Sequence, residues 1–143
     1  MSSGRFLLDT NIISELRRKE PERRLLRWFE QVSDDRLHLS VLTIGEIRRG
    51  IERLTDPVAQ RRLKDWLEGT LLPWLGSQLL PVSLAIAERW GRLSRAADRP
   101  LPAIDSLLAP TALEHGLTLV TRNTGELDLP GICVIDPWKE NLL

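Results

Sequence analysis

The most constraining feature of the sequence is a short apolar run near its start, Phe6-Leu7-Leu8, followed directly by Asp9. The run shows no alternation of polar and apolar positions, which is typical of a strand buried on both faces of a helix-covered parallel sheet. In such sheets ligands bind just beyond the carboxyl ends of the strands, where Asp9 falls. The segment Ile12 to Leu16 is predicted as a helix leaving this edge. Asp9 is therefore a candidate functional residue or, alternatively, only the cap of that helix.

Composition narrows the classes of protein that fit. The 143 residues are 42% hydrophobic and 28% charged, which suits one globular domain over residues 1–143. No run approaches the roughly 18 apolar residues of a membrane span, and no signal peptide precedes the first strand. We therefore expect a cytoplasmic protein that does not contact a membrane. The single cysteine, Cys133, agrees with a reducing compartment and excludes an internal disulfide.

Charge gives little indication of a partner, because 20 basic and 20 acidic residues leave a formal net charge of zero. Seventeen of the 20 basic residues are arginines, and many lie in the first half of the chain. They could form a local positive surface, or they could only supply ion pairs on solvated helix faces.

The remainder of the chain alternates predicted strands and helices, which favours a single parallel α/β domain. Further strands are predicted at 37–41, 78–82, 117–121 and 132–135. Thr43 is the expected cap of a third helix, and Asp56-Pro57 starts a fourth, so that these two helices form an antiparallel hairpin arm. A helix is predicted from Ala103 to the C-cap Gly116, with a kink at Pro110.

Acidic residues recur where these units begin or end. Glu46 lies off the apolar stripe of its helix, where it either faces a site or pairs with Arg49 on the surface. Asp105 lies just inside a helix N-terminus, and the predicted loop from Asn123 to Glu126 follows a strand. Such ends converge on one crevice of a parallel sheet, where clustered carboxylates repel each other unless a cation lies among them. Oxygen ligands without Cys or His partners indicate Mg²⁺ or Mn²⁺.

Four segments of the chain, taken in order, resemble the signature segments of PIN-domain ribonucleases, and most of all those of VapC-type toxins from bacterial toxin–antitoxin modules. The resemblance spans essentially the whole chain, and Ile135-Asp136-Pro137-Trp138 is similar to the usual ending of the family. The segments are Phe6 to Asn11, Leu39 to Glu46 with Gly50, Ile104 to Ala109, and Leu119 to Thr124.

The resemblance implies a three-layer α/β/α sandwich around four to five parallel strands, with a helical-hairpin arm. It also implies a Mg²⁺-dependent endoribonuclease that forms a homodimer and is inhibited by a cognate antitoxin protein. By matching position, Asp9, Glu46 and Asp105 would form the acidic metal cluster. The residues that would support this cluster are Thr10, Asn11, Ser40 and Thr121.

The fourth member of the cluster is open between Asn123 and Glu126. We expect Glu126 to reach the metal through water, or only when RNA brings a second ion, and Asn123 to orient its loop. The rival interpretation is a catalytically silent PIN-like domain that binds RNA or protein. A phosphatase with an aspartate nucleophile would need a second acid at position 11, where this chain has Asn11.

Overall fold

The computed structural model describes residues 4–97, 100, 102, 104–127 and 129–139, apart from the side chains of Ala96 and Glu126. Five short parallel strands form one sheet in the order β3-β2-β1-β4-β5. The strands are β1 (Phe6–Leu8), β2 (Leu37–Ser40), β3 (Leu79–Leu80), β4 (Thr118–Val120) and β5 (Val134–Ile135). The first strand therefore lies at the centre of the sheet, and its three residues are all buried, as its unbroken apolar run predicts.

Helices cover the sheet and connect its strands. They are α1 (Thr10–Leu16), α2 (Arg23–Gln31), α3 (Val41–Glu52), α4 (Pro57–Trp66), α5 (Leu72–Leu75), α6 (Leu84–Ala96), α7 (Leu108–His115) and α8 (Thr124–Leu127). A π-helical turn, Leu67–Leu71, joins α4 to α5, and a 3₁₀ turn, Asp105–Leu107, precedes α7. None of the helices in the described residues is long and apolar enough to cross a bilayer.

The two faces of β1 belong to two separate hydrophobic clusters. Phe6 and Leu8 pack with residues of α1, α2 and α3, whereas Leu7 packs with Leu108 and Ala112 of α7. Successive side chains of a strand point to opposite faces, so this division follows from the strand itself. The sheet is thus buried between two helical layers, and the predicted α/β/α sandwich is confirmed.

Helix α3 begins earlier than predicted. Its cap is Ser40, the last residue of β2, whose Oγ accepts a hydrogen bond from the Leu42 backbone N–H at 3.1 Å. Thr43, the expected cap, is fully buried inside the helix. Both residues are good cap formers, and the prediction of Thr43 is wrong because the strand passes into the helix without a connecting loop.

Pro110 also lies in a more favourable place than predicted. The segment predicted as one helix from Ala103, itself outside the described residues, is divided into a 3₁₀ turn and α7. Pro110 is the third residue of α7, where backbone N–H groups have no partner within the helix, so its missing N–H costs little. Gly116 ends the helix with φ +65°, as expected for a C-cap glycine.

The predicted hairpin arm is closely packed against the sheet. Asp56 caps α4 by accepting from the Val58 N–H at 3.0 Å, with Pro57 at the first helical position as predicted. The continuation of α4 buries Leu67, Leu71 and Leu75 in the main hydrophobic cluster. One side of the arm is therefore buried in the hydrophobic core, and the opposite side is the one that a partner could contact.

Candidate carboxylate site at the end of the first strand

Asp9 lies where the central strand ends, and the backbone fixes it there. Its N–H donates to the Val120 carbonyl at 2.9 Å, which ties the end of β1 to β4. Its Oδ1 accepts from the Thr10 N–H at 2.6 Å and so caps α1. Asp9 is therefore the cap of α1, and the same residue places a carboxylate at the carboxyl edge of the sheet, so that its functional role stays a prediction.

The second oxygen of Asp9 is held by side chains. Oδ2 accepts from Thr121 Oγ1 at 2.6 Å and from Asn11 Nδ2 at 3.2 Å. The Thr121 hydroxyl also accepts from Asn11 Nδ2 at 3.3 Å and from the Asn123 N–H at 3.0 Å. Asp9 is only 3% exposed, so these contacts hold its carboxylate in one orientation.

Glu46 approaches the site from α3. Its Oε1 accepts a hydrogen bond from Thr10 Oγ1 at 2.6 Å, which joins α3 to α1. The alternative in which Glu46 pairs with Arg49 is not seen in the described residues, where Glu46 forms no ion pair with a basic side chain.

Asp105 reaches the site from the opposite helical layer. It is the first residue of the 3₁₀ turn before α7 and is half-buried. Asp9, Glu46 and Asp105 all line one cavity of about 520 Å³. The structure therefore brings together three carboxylates that lie far apart in the sequence.

The electrostatics of Asp9 reflect this crowding. Burial raises the pKa of the Asp9 carboxyl, and the hydrogen bonds from Thr121 and the Thr10 backbone partly offset that effect. The neighbouring charges of Asp105 and Glu46 raise the pKa of Asp9 further. Negative charge in this cavity is thus unfavourable when no cation is present.

The chemistry of the residues fits a hard divalent cation. Carboxylate and hydroxyl oxygens are the donors that such ions prefer, and among the described residues no basic side chain pairs with Asp9, Glu46 or Asp105. A closed set of ligands is not preformed, because no three His, Cys, Asp or Glu side chains in the described part of the chain lie close enough to hold one ion. Inward movement of the half-buried carboxylates would be needed to complete the set.

The predicted supporting residues divide into two groups. Thr10, Asn11 and Thr121 bind the carboxylates directly, and Asn123 lines the cavity beside them. Ser40 is fully buried, caps α3 and does not line the cavity.

The segment expected to form a loop around Glu126 is instead helical. It forms α8, and Leu127 at the end of this helix is buried in the second hydrophobic cluster. Leu127 thus marks the side of α8 that faces the core. The side chain of Glu126 lies outside the described part of the structure.

Several residues line the cavity without having been predicted from the sequence. Glu15 and Arg18 of α1 form an ion pair at 3.3 Å, and the Glu15 carboxylate also accepts from the Glu22 N–H at 3.0 Å. Arg122 follows β4 and Trp138 follows β5, and both line the cavity. Arg122 could have been found by the same strand-end argument that identified Asn123.

Two further cavities share lining residues with the carboxylate cavity. One, of about 420 Å³, lies between α1, α3 and α4 and is largely apolar, and the Arg17 guanidinium lies 4.3 Å from the centre of the Trp66 ring there. The other, of about 610 Å³, lies near the loop between α1 and α2 and shares Arg18, Arg122 and Trp138 with the carboxylate cavity. The carboxylate cavity thus shares wall residues with both neighbours, and we call the three cavities together the groove.

Comparison with known families gives a match over most of the chain. The family model described as PIN domain matches residues 6–129. This range includes β1, all three carboxylates, and β4 with Thr121 directly after it.

Individual relatives are similar over nearly the full length. The VapC ribonuclease Y4jK of Sinorhizobium fredii is 33% identical over 139 residues, which cover 94% of this chain and 98% of that protein. The toxin FitB of Neisseria gonorrhoeae is 31% identical over 138 residues, which cover 94% of this chain and 99% of FitB. The structure of FitAB bound to the IR36 DNA fragment matches with a TM-score of 0.87 and 29% identity, covering 94% of this chain and 96% of the matched chain.

Proposed function

Because the chain belongs to the PIN-domain family, we propose that it is a Mg²⁺-dependent endoribonuclease and the toxin of a bacterial toxin–antitoxin module. The observation that carries the proposal is the convergence of Asp9, Glu46 and Asp105 on one cavity without a basic partner among the described residues. The relatives named as a ribonuclease and as a toxin support the same class of activity.

In this proposal the carboxylates hold the metal ion, and their neighbours fix the carboxylates. A bound divalent ion lowers the pKa of a coordinated water and offsets charge on the phosphate oxygens. Thr121 and Asn11 keep Asp9 oriented toward the cavity, and Thr10 holds Glu46 beside it. Arginines near Glu46, such as the exposed Arg49, would supply positive charge that contacts the RNA backbone.

We assign Glu126 a role at the rim of this site. It acts through water or together with a second ion, while the Asn123 side chain orients the segment that follows β4. The backbone N–H of Asn123 donates to Thr121 Oγ1, a bond that does not involve the Asn123 side chain. Mn²⁺ would serve in place of Mg²⁺, since both prefer oxygen ligands.

The proposal includes partners. A cognate antitoxin would occupy the groove beside the carboxylates, with apolar side chains in the 420 Å³ cavity and a basic side chain near the acids. The FitAB complex, in which the matched chain is similar to this one, supports a protein partner. We further propose that the chain forms a homodimer, acts in the cytoplasm and is a single domain.

Cleavage assays test the activity directly. We expect the purified chain to cut single-stranded RNA in Mg²⁺, to lose this activity in excess EDTA and to regain it when Mg²⁺ or Mn²⁺ is restored. Activity that persists in EDTA would contradict the metal mechanism. RNA binding without cleavage under all of these conditions would favour the catalytically silent alternative.

The partner is tested by co-expression with the neighbouring short reading frame. An antitoxin should suppress RNA cleavage and co-purify, and removal of its C-terminal tail should abolish both effects. Light scattering at micromolar concentration measures the oligomeric state, and a monomer there would contradict the homodimer.

A further inference from the structure

We propose that Arg122 and Trp138, which we call the ledge, hold one base of a single-stranded RNA next to the carboxylate cavity. The inference rests on the proposed ribonuclease function and names a base-binding subsite of that function. The Arg122 guanidinium lies over the Trp138 ring, 4.4 Å from its centre. Planar arginine and aromatic side chains are the surfaces on which unpaired RNA bases stack.

The ledge is anchored from several elements. The backbone N–H of Trp138 donates to the Asp136 carboxylate at 2.9 Å, and the backbone carbonyl of Trp138 accepts from Arg24 Nη1 of α2 at 2.7 Å. Its ring is half-buried against the main hydrophobic cluster, whereas Arg122 is exposed. The buried side fixes the ring, and the exposed guanidinium offers the surface on which a base can rest.

Its position suits a nucleotide beside the cleaved bond. Arg122 and Trp138 line the 520 Å³ cavity that holds Asp9, Glu46 and Asp105, and they also line the adjoining 610 Å³ cavity. The ledge is thus a common wall of the two cavities. A strand of RNA with its phosphate at the carboxylates would bring a neighbouring base to this wall.

Charge alone does not account for a ligand in the 610 Å³ cavity. Three arginines and three glutamates line it, and the Glu15–Arg18 pair satisfies two of these charges internally. Since the lining is balanced, a polyanion gains little there from electrostatics. The Arg122–Trp138 stacking surface, and not the charge of this cavity, favours the base of a nucleotide over its phosphate.

The inference is tested with a short fluorescent RNA and a set of copies that each lack one base. We measure kcat/KM in Mg²⁺ and binding by anisotropy in EDTA for the wild type, Trp138→Ala, Trp138→Phe and Arg122→Lys. Loss of one base should lower kcat/KM of the wild type by about 5- to 150-fold, if the range for base stacking on aromatic side chains is taken as the scale for the Arg122–Trp138 surface. The Trp138→Ala protein should lose this preference for that base alone, and Trp138→Phe should retain most of it.

The controls separate the ledge from folding and from charge. Trp74→Ala removes another partly exposed indole, which donates to Asp34 at 3.1 Å, and should leave RNA cleavage unchanged. Arg122→Lys keeps the positive charge but removes the planar guanidinium, so the change in kcat/KM caused by removing that base should become smaller. Thermal unfolding of each variant shows whether the fold persists, and the Phe and Lys variants carry the test if Trp138→Ala does not fold.

Failure of the ledge is distinguishable from failure of the proposed function. Wild-type protein that binds the RNA but never cuts it contradicts the ribonuclease proposal, while the binding data still decide the ledge. If removal of any base lowers binding and kcat/KM by the same factor, in the wild type as in Trp138→Ala, the ledge does not bind a particular base and the inference is wrong. A Trp138→Ala protein that binds every RNA normally but no longer binds its antitoxin also overturns it and assigns the surface to a protein partner.

Discussion

Asp9 and Asp105 face the same cavity but are held in very different ways. Asp9 ends the central strand, is 3% exposed and accepts hydrogen bonds from Thr10, Thr121 and Asn11. Asp105 lies in a single 3₁₀ turn and is half-buried, and no hydrogen bond to its carboxylate is found among the described residues. One carboxylate is thus fixed before anything binds, whereas the other is free to adjust to what binds.

The difference follows from the supporting structure. β1 is paired on both sides, and Asp9 directly after it is tied to β4 by a further backbone hydrogen bond. Thr121, directly after β4, adds a side-chain hydrogen bond. A single helical turn has few such contacts and changes its conformation at lower cost. We infer that Asp9 sets the position of the metal ion and that Asp105 moves to complete its coordination.

The largest expected effect is the loss of one carboxylate charge from either residue. Asp9→Asn and Asp105→Asn should each lower the rate of RNA cleavage more than about 100-fold at low Mg²⁺, beyond the range of changes to outer-shell residues. High Mg²⁺ should restore part of the activity of Asp105→Asn and none of that of Asp9→Asn, because the Asp9 carboxylate is the one that hydrogen bonds hold in place. Cleavage rates over a Mg²⁺ titration measure this recovery. Equal recovery of both variants would contradict the inferred difference between a fixed Asp9 and an adjustable Asp105.

A smaller effect is expected when the support of Asp9 is removed but its charge is kept. Thr121→Val deletes the hydroxyl that donates to Asp9 Oδ2 and should lower the cleavage rate about 10- to 100-fold. Thr111→Val is the matched control, since this buried hydroxyl donates to the Leu107 carbonyl and lies outside the cavity lining. If both variants lose activity equally, the loss comes from a less stable fold and not from a changed orientation of the Asp9 carboxylate.

The smallest expected effect is on the free energy of unfolding. Because the pKa of Asp9 is raised in the folded protein, the unfolded state is the stronger acid, and ionisation of Asp9 favours unfolding. The favourable contribution of protonated Asp9 is complete below its ordinary pKa of 3.8 and is lost as pH rises through the folded value. In EDTA at pH 7, Asp9→Asn should therefore unfold at a higher temperature than the wild type, by about 2–4 °C for each kcal/mol gained.

The pH dependence provides the check on that stability gain. The advantage of Asp9→Asn should shrink as the pH is lowered and vanish below about pH 3.8, where the wild-type carboxyl is protonated in both states. A gain that does not change with pH would come from packing and not from the charge of Asp9.

Parts of the fold and site could be predicted because their signals are local. An apolar run without alternation identified β1, and Asp-Pro at 56–57 identified the start of α4. The resemblance to PIN-domain ribonucleases, made on short segments, is confirmed by the family match over residues 6–129. The roles of the individual site residues stay predictions until they are tested.

Other features depend on contacts that no local pattern records. Ser40 and Thr43 are equally good caps in sequence, and only the length of β2 decides between them. The helix α8 forms where a loop was expected, because Leu127 finds a buried position in the second cluster. The partner of Glu46 is Thr10 and not Arg49, because the packing of α1 against α3 brings that hydroxyl near.

The sequence by itself determined a parallel α/β fold with acids at the ends of its units, since burial on both faces and helix capping are properties of neighbouring residues. Tertiary structure decided how those acids are held. Thr121 is 112 residues from Asp9 in the chain but donates a hydrogen bond of 2.6 Å to it. Arg122, which follows β4, contacts the ring of Trp138, which follows the neighbouring strand β5. Such pairs arise only when strands distant in sequence become neighbours in the sheet, because side-chain contacts require closeness in space and not in sequence.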